Sequence, residues 1–290
     1  MTIKIGILLA LLCAFASNLA FFYKQRGATR APTVTFRHPL RSGAELFRSR
    51  WFAVGMAVAL GAWLLHVAAL ALVPLSVVQI VLAGGVVLIG AMADRIFGFK
   101  VEGRQWAGLA LTTAGLVALA ATVPAAHGAH SAFSVPGMIA FESALFVVGL
   151  LLIVGPRAGA PAEHHGAMLG AAAGILFGVS DVAIKALTGI VAKHGALGLV
   201  SPWLAVALAA SVVAFIASAR GFQIGEAVPV IAVTGAAANI AAIAGGILVF
   251  GDPMPADVLG IVVESLGLVL VVCAAAVMPT ASLRAARATA

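Results

Sequence analysis

The sequence predicts an all-α membrane protein, a bundle of nine transmembrane helices built from two inverted repeats. Three observations carry that prediction: too little polar surface, nine apolar runs, and a fixed internal offset. Of the 290 residues, 63% are apolar and 9% charged, against about 45–50% and about 25% in soluble globular proteins. Such a chain cannot coat a water-soluble particle. Disorder and coiled coil are excluded for the same reason. The formal charge of +7 marks cytoplasmic loops and not a nucleic-acid footprint, so no nucleic-acid partner is expected. Cys13 and Cys273 both lie inside apolar runs and define no disulfide framework.

A bilayer core takes about 20 apolar residues per helix. The runs fall at 3–23, 51–73, 75–95, 105–123, 135–154, 166–187, 199–219, 227–250 and 255–278. Pro74, Pro136, Pro202, Pro229 and Pro255 stand at or near the predicted helix starts, where a missing N–H costs least. Pro279 closes the last helix. The first run is read as an uncleaved helix and not a signal peptide. Lys4 alone precedes it, whereas Lys24, Arg26 and Arg30 follow it, the reverse of a secretory signal.

Orientation follows from the Lys/Arg bias. With the N-terminus outside, segments 24–50, 96–104, 155–165, 220–226 and the tail after 278 are cytoplasmic. Together with Arg95 they hold 14 of the 17 basic residues. Lys4 and Lys193 fall outside, and Lys185 lies within a span. The expected topology is therefore N-out and C-in, multi-pass, in the plasma (inner) membrane. The basic 24–50 segment is read as a connector lying near anionic headgroups of the lipid bilayer. Cysteine tags placed at Arg41 and at His127 are expected to react from opposite sides of the membrane. Reaction of both from one side would invalidate the topology.

The chain resembles itself at an offset of 152 residues, which aligns Trp51 with Trp203, Ala53 with Ala205, Val54 with Val206, Gly108 with Gly260 and Gly115 with Gly267. An offset of 163 places Ser17-Asn18 on Ser180-Asp181. Equivalent helices are five spans apart, an odd number, so the repeats cross the membrane in opposite senses. Residues 1–290 thus read as one transmembrane domain: a first repeat over 3–123, an extra helix over 135–154, and a second repeat over 166–278. Inverted repeats are the usual frame of secondary transporters, because two such halves can exchange shapes around a fixed site.

Four stretches carry a family resemblance: "ALALVPLSVVQIVLAGGVVLIGAMADRIFG" (69–98), "GRQWAGLALTTAGLVALAA" (103–121), "GFQIGEAVPVIAVTGAAANIAAIAGGILVFGD" (221–252) and "DVLGIVVESLGLVLVV" (257–272). Each pair is a penultimate helix, a short polar turn and a closing helix with two glycines seven apart. With "GILLALLCAFASNLAFFYKQRGA" (6–28) they span most of the chain, which resembles the drug/metabolite transporter superfamily, with its EamA-type exporters and NIPA-type magnesium transporters. The resemblance implies two sets of five helices. This chain departs from that plan by lacking the first helix, which agrees with an outside N-terminus and is closer to the NIPA-like arrangement. An EamA-like reading implies a small organic metabolite or drug as cargo. A NIPA-like reading implies a divalent cation such as magnesium, bound through hard oxygen ligands.

Ionisable groups within spans are costly, about 2.5–3.5 kcal/mol at a helix centre, so each calls for a partner or a purpose. Glu142 in the fifth span, Asp181 and Lys185 in the sixth, Glu264 in the ninth and His66 in the second qualify, with the amides Asn18, Gln79 and Asn239. By helix direction the charged groups and His66 fall in the middle or outer half of the membrane, Asn239 near the middle and Asn18 toward the inner half. They are the candidate substrate or ion pathway. Two readings of Asp181 and Lys185 stand side by side: an i,i+4 pair that neutralises itself, or a transport site. A lysine this close to Asp181 argues against a dedicated dication cage. Glu142 and Glu264 have no sequence-local partner. Gln79 and Asn239 also suit interhelical hydrogen bonding.

Gly166, Gly170, Gly174 and Gly178 recur every fourth residue of the sixth span. Such a stripe lets another backbone approach closely. It serves rigid packing, a sliding surface or a homodimer contact. Glu163-His164-His165, His127 and His130 lack a recognised metal spacing and read as loop residues, so no metal site and no cofactor is expected. Gly178-Val179-Ser180-Asp181 resembles the Gly-x-Ser of an intramembrane serine protease, but no histidine base follows on a later span, and no phosphate-binding loop is present. The chain is accordingly read as a secondary-active transporter of a small solute and not an enzyme, with a divalent-cation transporter or channel, an accessory membrane subunit or an intramembrane enzyme as alternatives.

Overall fold

The computed structural model describes residues 2–70, 81–82, 84–122, 133–251 and 257–277. Its longer elements are α1 (Thr2–Ala28), α2 (Pro39–Phe47), α3 (Arg50–Leu70), α4 (Val86–Arg95), α5 (Gly103–Thr122), α6 (Val135–Val154), α7 (His165–His194), α8 (Pro202–Ile224), α9 (Ala227–Phe250) and α10 (Val258–Val277). Short 3-10 turns join α6 to α7 and α7 to α8. Among the described residues there is no strand.

Among the described residues, five of the nine expected spans are helices long and apolar enough to cross a membrane: Lys4–Ala28, Val135–Arg157, Ala162–Val191, Pro202–Ile224 and Ala227–Phe250. Their outward faces are apolar too. On α6 the side chains of Ile139, Val147, Leu150 and Leu151 are all exposed, an apolar surface that suits lipid better than water. The protein is an all-helical one whose surface and helix lengths suit a membrane.

Two features differ from the sequence expectation. The basic connector 24–50 contains a helix, α2, because Pro39 starts it at a position that needs no N–H and Leu46 buries completely beneath it. Helix α1 also continues to Ala28, past the apolar run. Its last polar residues find aromatic surfaces, with Lys24 Nζ 4.1 Å from the Phe21 ring centre and the Arg26 guanidinium 4.3 Å from that of Trp51.

Starts and stops are local. Ser134 caps α6 by accepting from Gly137 N–H, Ser201 caps α8 by accepting from Trp203 N–H, and Asp257 accepts from Gly260 N–H at the start of α10. Gly251 ends α9 in the left-handed region at φ 67°, where a side chain would clash.

Packing is dominated by four close pairs, α1 with α3, α7 with α8, α7 with α9, and α5 with α10, and α6 lies against α7. Small residues set these approaches. A Cβ on Gly115 would meet the Gly267 carbonyl oxygen at 2.6 Å, and one on Gly267 would meet the Gly115 oxygen at 2.9 Å. The glycines that align at the 152-residue offset therefore face each other where α5 crosses α10.

The largest core cluster joins the chain's two halves, with Phe22, Leu46, Phe52 and Leu109 meeting Phe222 and Ile231. It lies at the end of the bundle that carries the basic segments. A second cluster, at the other end, groups Met138, Val182, Ala207 and Phe250 within the later part of the chain.

Candidate functional site

Helix α7 organises the candidate site because three partners divide its circumference. The glycine stripe faces the turn from α8 into α9 and then α9 itself: a Cβ on Gly166 would meet Gly225, one on Gly170 the Val230 oxygen at 3.0 Å, one on Gly174 the Thr234 oxygen, and one on Gly178 the Ala241 side chain. Ser180 faces α8, its hydroxyl 2.8 Å from that of Ser211. Leu176 fills the space above Gly149 of α6.

Asp181 occupies the remaining arc. At 3.6 residues per turn it lies about 60° from Gly178 and about 100° from Ser180, facing the groove between α8 and α9. It is exposed, although it sits near the middle of a 30-residue helix. Among the described residues no ion pair reaches it. The Lys185 ammonium lies 4.4 Å from the ring centre of Phe250 on α9. Among the described residues the i,i+4 pair is not within ion-pair distance.

Glu142 has the opposite environment. It is 4% exposed, one turn beyond Met138 of the second core cluster, and its Oε1 has no hydrogen-bond partner. A buried carboxylate oxygen without a donor is costly and suits a proton or a cation. Glu264 is half-buried on α10, which packs on α5 and touches α9. The structure places Glu142 and Asp181 on neighbouring helices but on differently covered faces, with Glu264 on a third helix whose principal neighbour is α5.

Of the two candidate amides that are described, one bonds across elements and the other within its own helix. Asn18 donates to the Gly85 carbonyl at 2.9 Å and ties α1 to the start of α4. Asn239 donates to Gly235 of its own helix at 3.0 Å. Helix α3 carries His66, whose side chain lies outside the described residues, as do Gln79, His127 and His130. Glu163 and His164 form an exposed pair at 3.5 Å, and His165 Nε2 lies 2.7 Å from the Ala160 oxygen. Among the described residues no three histidine, cysteine or carboxylate side chains gather to hold a metal.

Below the groove, at the basic end, polar contacts that sequence reasoning missed bridge the two halves. Gln223 of α8 donates to the carbonyls of Ala28 and Pro32, both at 2.9 Å, and accepts from Val34 N–H at 3.0 Å. Gln105, buried at the start of α5, donates to the Glu226 carboxylate at the start of α9. Aromatic contacts seal the same level, Phe22 stacking on Phe97 at 4.7 Å and Phe21 meeting Phe222 edge-on at 6.3 Å. The one available signal was positional: Gln105, Gln223 and Glu226 are uncharged or acidic groups at the basic ends of spans.

No family model, no curated protein and no solved structure matches the chain.

Proposed function

We propose that the protein is a secondary-active membrane transporter of a small solute, with Asp181 in its pathway. One observation carries this reading: a carboxylate near mid-helix is exposed in a groove whose basic end is closed by contacts between the two halves of the chain. Facing lipid there, an ionised aspartate would cost about 2.5–3.5 kcal/mol. Facing a water-filled groove, it is a binding group at the depth where transporter sites lie.

The full reading has nine spans, N-terminus outside and C-terminus cytoplasmic, with 3–123 and 166–278 as inverted repeats that rock about one another. Support comes from the packing. The first and second spans pair as the sixth and seventh do, and offset-related Gly115 and Gly267 meet face to face, as residues beside a pseudo-twofold axis must. With the basic end sealed, this arrangement is the outward-facing one. Alternating access would release the Gln105–Glu226 and Gln223 contacts and close the groove above Asp181.

Among the described residues no ion pair occupies the exposed Asp181 carboxylate, which leaves it to a positively charged solute. This favours organic cations, with the divalent-cation reading of the resemblance as the second choice.

Ligand-dependent stabilisation tests the proposal. Among amines, amino acids, nucleosides and metal ions, a cationic solute at about 100 times its Kd is expected to stabilise the purified protein by about 2.7 kcal/mol, read as a raised melting temperature. Asp181→Asn should lose the response. A panel in which no cation shifts the melting temperature, or in which the variant responds as the native chain does, would refute it.

A further inference from the structure

We propose that α2 is an interfacial helix that lies on the bilayer surface, its apolar stripe in the headgroup boundary and its arginines on anionic phospholipid phosphates. The inference rests on the membrane reading of the chain but not on transport.

Three aspects of α2 define the surface. Leu40, Ala44 and Phe47 recur at helical spacing and form one exposed stripe, with Leu40 87% and Phe47 50% exposed. Arg41 and Arg48 lie along one flank of this stripe and are exposed, with Arg37 before the helix and Arg50 after it. The opposite side is anchored. Leu46 is fully buried, and the Ser42 hydroxyl both accepts from Thr35 N–H at 3.1 Å and donates to the Thr35 carbonyl at 3.3 Å. The orientation of the stripe is therefore set by the fold.

Lipid is the occupant that these features select. Only Arg48 and Ser49 separate α2 from α3, an apolar helix on which Val54, Leu60, Trp63 and Leu64 are exposed, so the stripe lies within two residues of a helix that carries its own apolar surface. The segment 24–50 holds seven basic residues and one acid, Glu45, and that acid is bound to Arg41 at 2.9 Å. Apolar residues beside arginines on a short helix match a boundary in which acyl chains lie beneath phosphates. A soluble acidic partner would find the arginines but not bury Leu40.

The test places an environment-sensitive fluorophore at position 44, as Ala44→Cys in the full chain with Cys13→Ala and Cys273→Ser, leaving Leu40 and Phe47 in place. The protein is reconstituted into vesicles of phosphatidylcholine alone or with phosphatidylglycerol, and flotation with the vesicles checks the membrane reading separately. In phosphatidylglycerol vesicles the label is expected to be quenched by shallow spin-labelled lipid and shielded from aqueous iodide. Arg37→Gln with Arg48→Gln should reduce lipid quenching at least about twofold. Iodide quenching in both vesicle types would overturn the proposal by showing a stripe in water. Shielding from both quenchers would overturn it in favour of a protein cover, such as a second copy. Equal lipid quenching with and without phosphatidylglycerol, or unchanged quenching in the arginine variant, would overturn the assignment to anionic headgroups.

Discussion

Asp181→Asn is expected to abolish coupled solute transport in proteoliposomes while the yield of folded protein stays near that of the native chain. The amide keeps the shape of the carboxylate, and among the described residues no ion pair is lost. The neighbouring packing is untouched: Gly178 still meets Ala241, and Ser180 still meets Ser211. What disappears is the charge in the groove, which a cationic solute needs and which cannot be supplied from elsewhere on this arc of α7. Glu142→Gln and Glu264→Gln should each reduce transport less completely. Glu142 is buried with an unpartnered Oε1, so its amide variant also tests whether that oxygen takes a proton or cation during the cycle. Initial uptake rates of a solute identified by stabilisation, measured against pH, decide the point. Normal transport by Asp181→Asn with the native pH dependence would remove Asp181 from the pathway.

The second large effect is on stability. Gly174→Val should destabilise the protein by about 1–3 kcal/mol, seen as a lower melting temperature in detergent and a smaller folded fraction. A Cβ at this position would strike the Thr234 carbonyl oxygen and come within 2.8 Å of the Ala237 Cβ and 3.0 Å of the Ala238 nitrogen. Two of these three are backbone atoms, which cannot turn aside as a flexible side chain can. Relief requires α7 and α9 to separate, loosening the walls of the Asp181 groove as well. Gly235→Ala on α9 is the control: nothing lies within 4 Å of its Cβ position, and removing a helical glycine should stabilise by about 0.5–1 kcal/mol. If Gly174→Val melts like the native chain, the α7–α9 approach is not as close as the glycine stripe indicates.

The five long apolar helices were legible in the sequence itself, since an apolar run in a bilayer must satisfy every backbone N–H and C=O within its own segment. The prolines at the starts of α6 and α8 and the glycine stripe were legible for the same reason, each acting within a turn or two of itself; the Ser134, Ser201 and Asp257 caps are equally local but were read only from the structure. Tertiary structure alone decided what each side chain meets. Glu142 and Asp181 look alike in sequence, one carboxylate inside one apolar run, yet the first is buried and the second exposed, because burial depends on which neighbours cover which arc of a helix. Lys185 was close enough to Asp181 along the chain to pair with it, but Phe250, 65 residues later, offered its ring. The 152-residue offset related Gly115 to Gly267 without indicating that they touch, and nothing in the chain joined Gln105 to Glu226 or Gln223 to the carbonyls of Ala28 and Pro32. Those contacts span more than 100 residues, so local pattern cannot encode them; they arise only when the helices have chosen their partners.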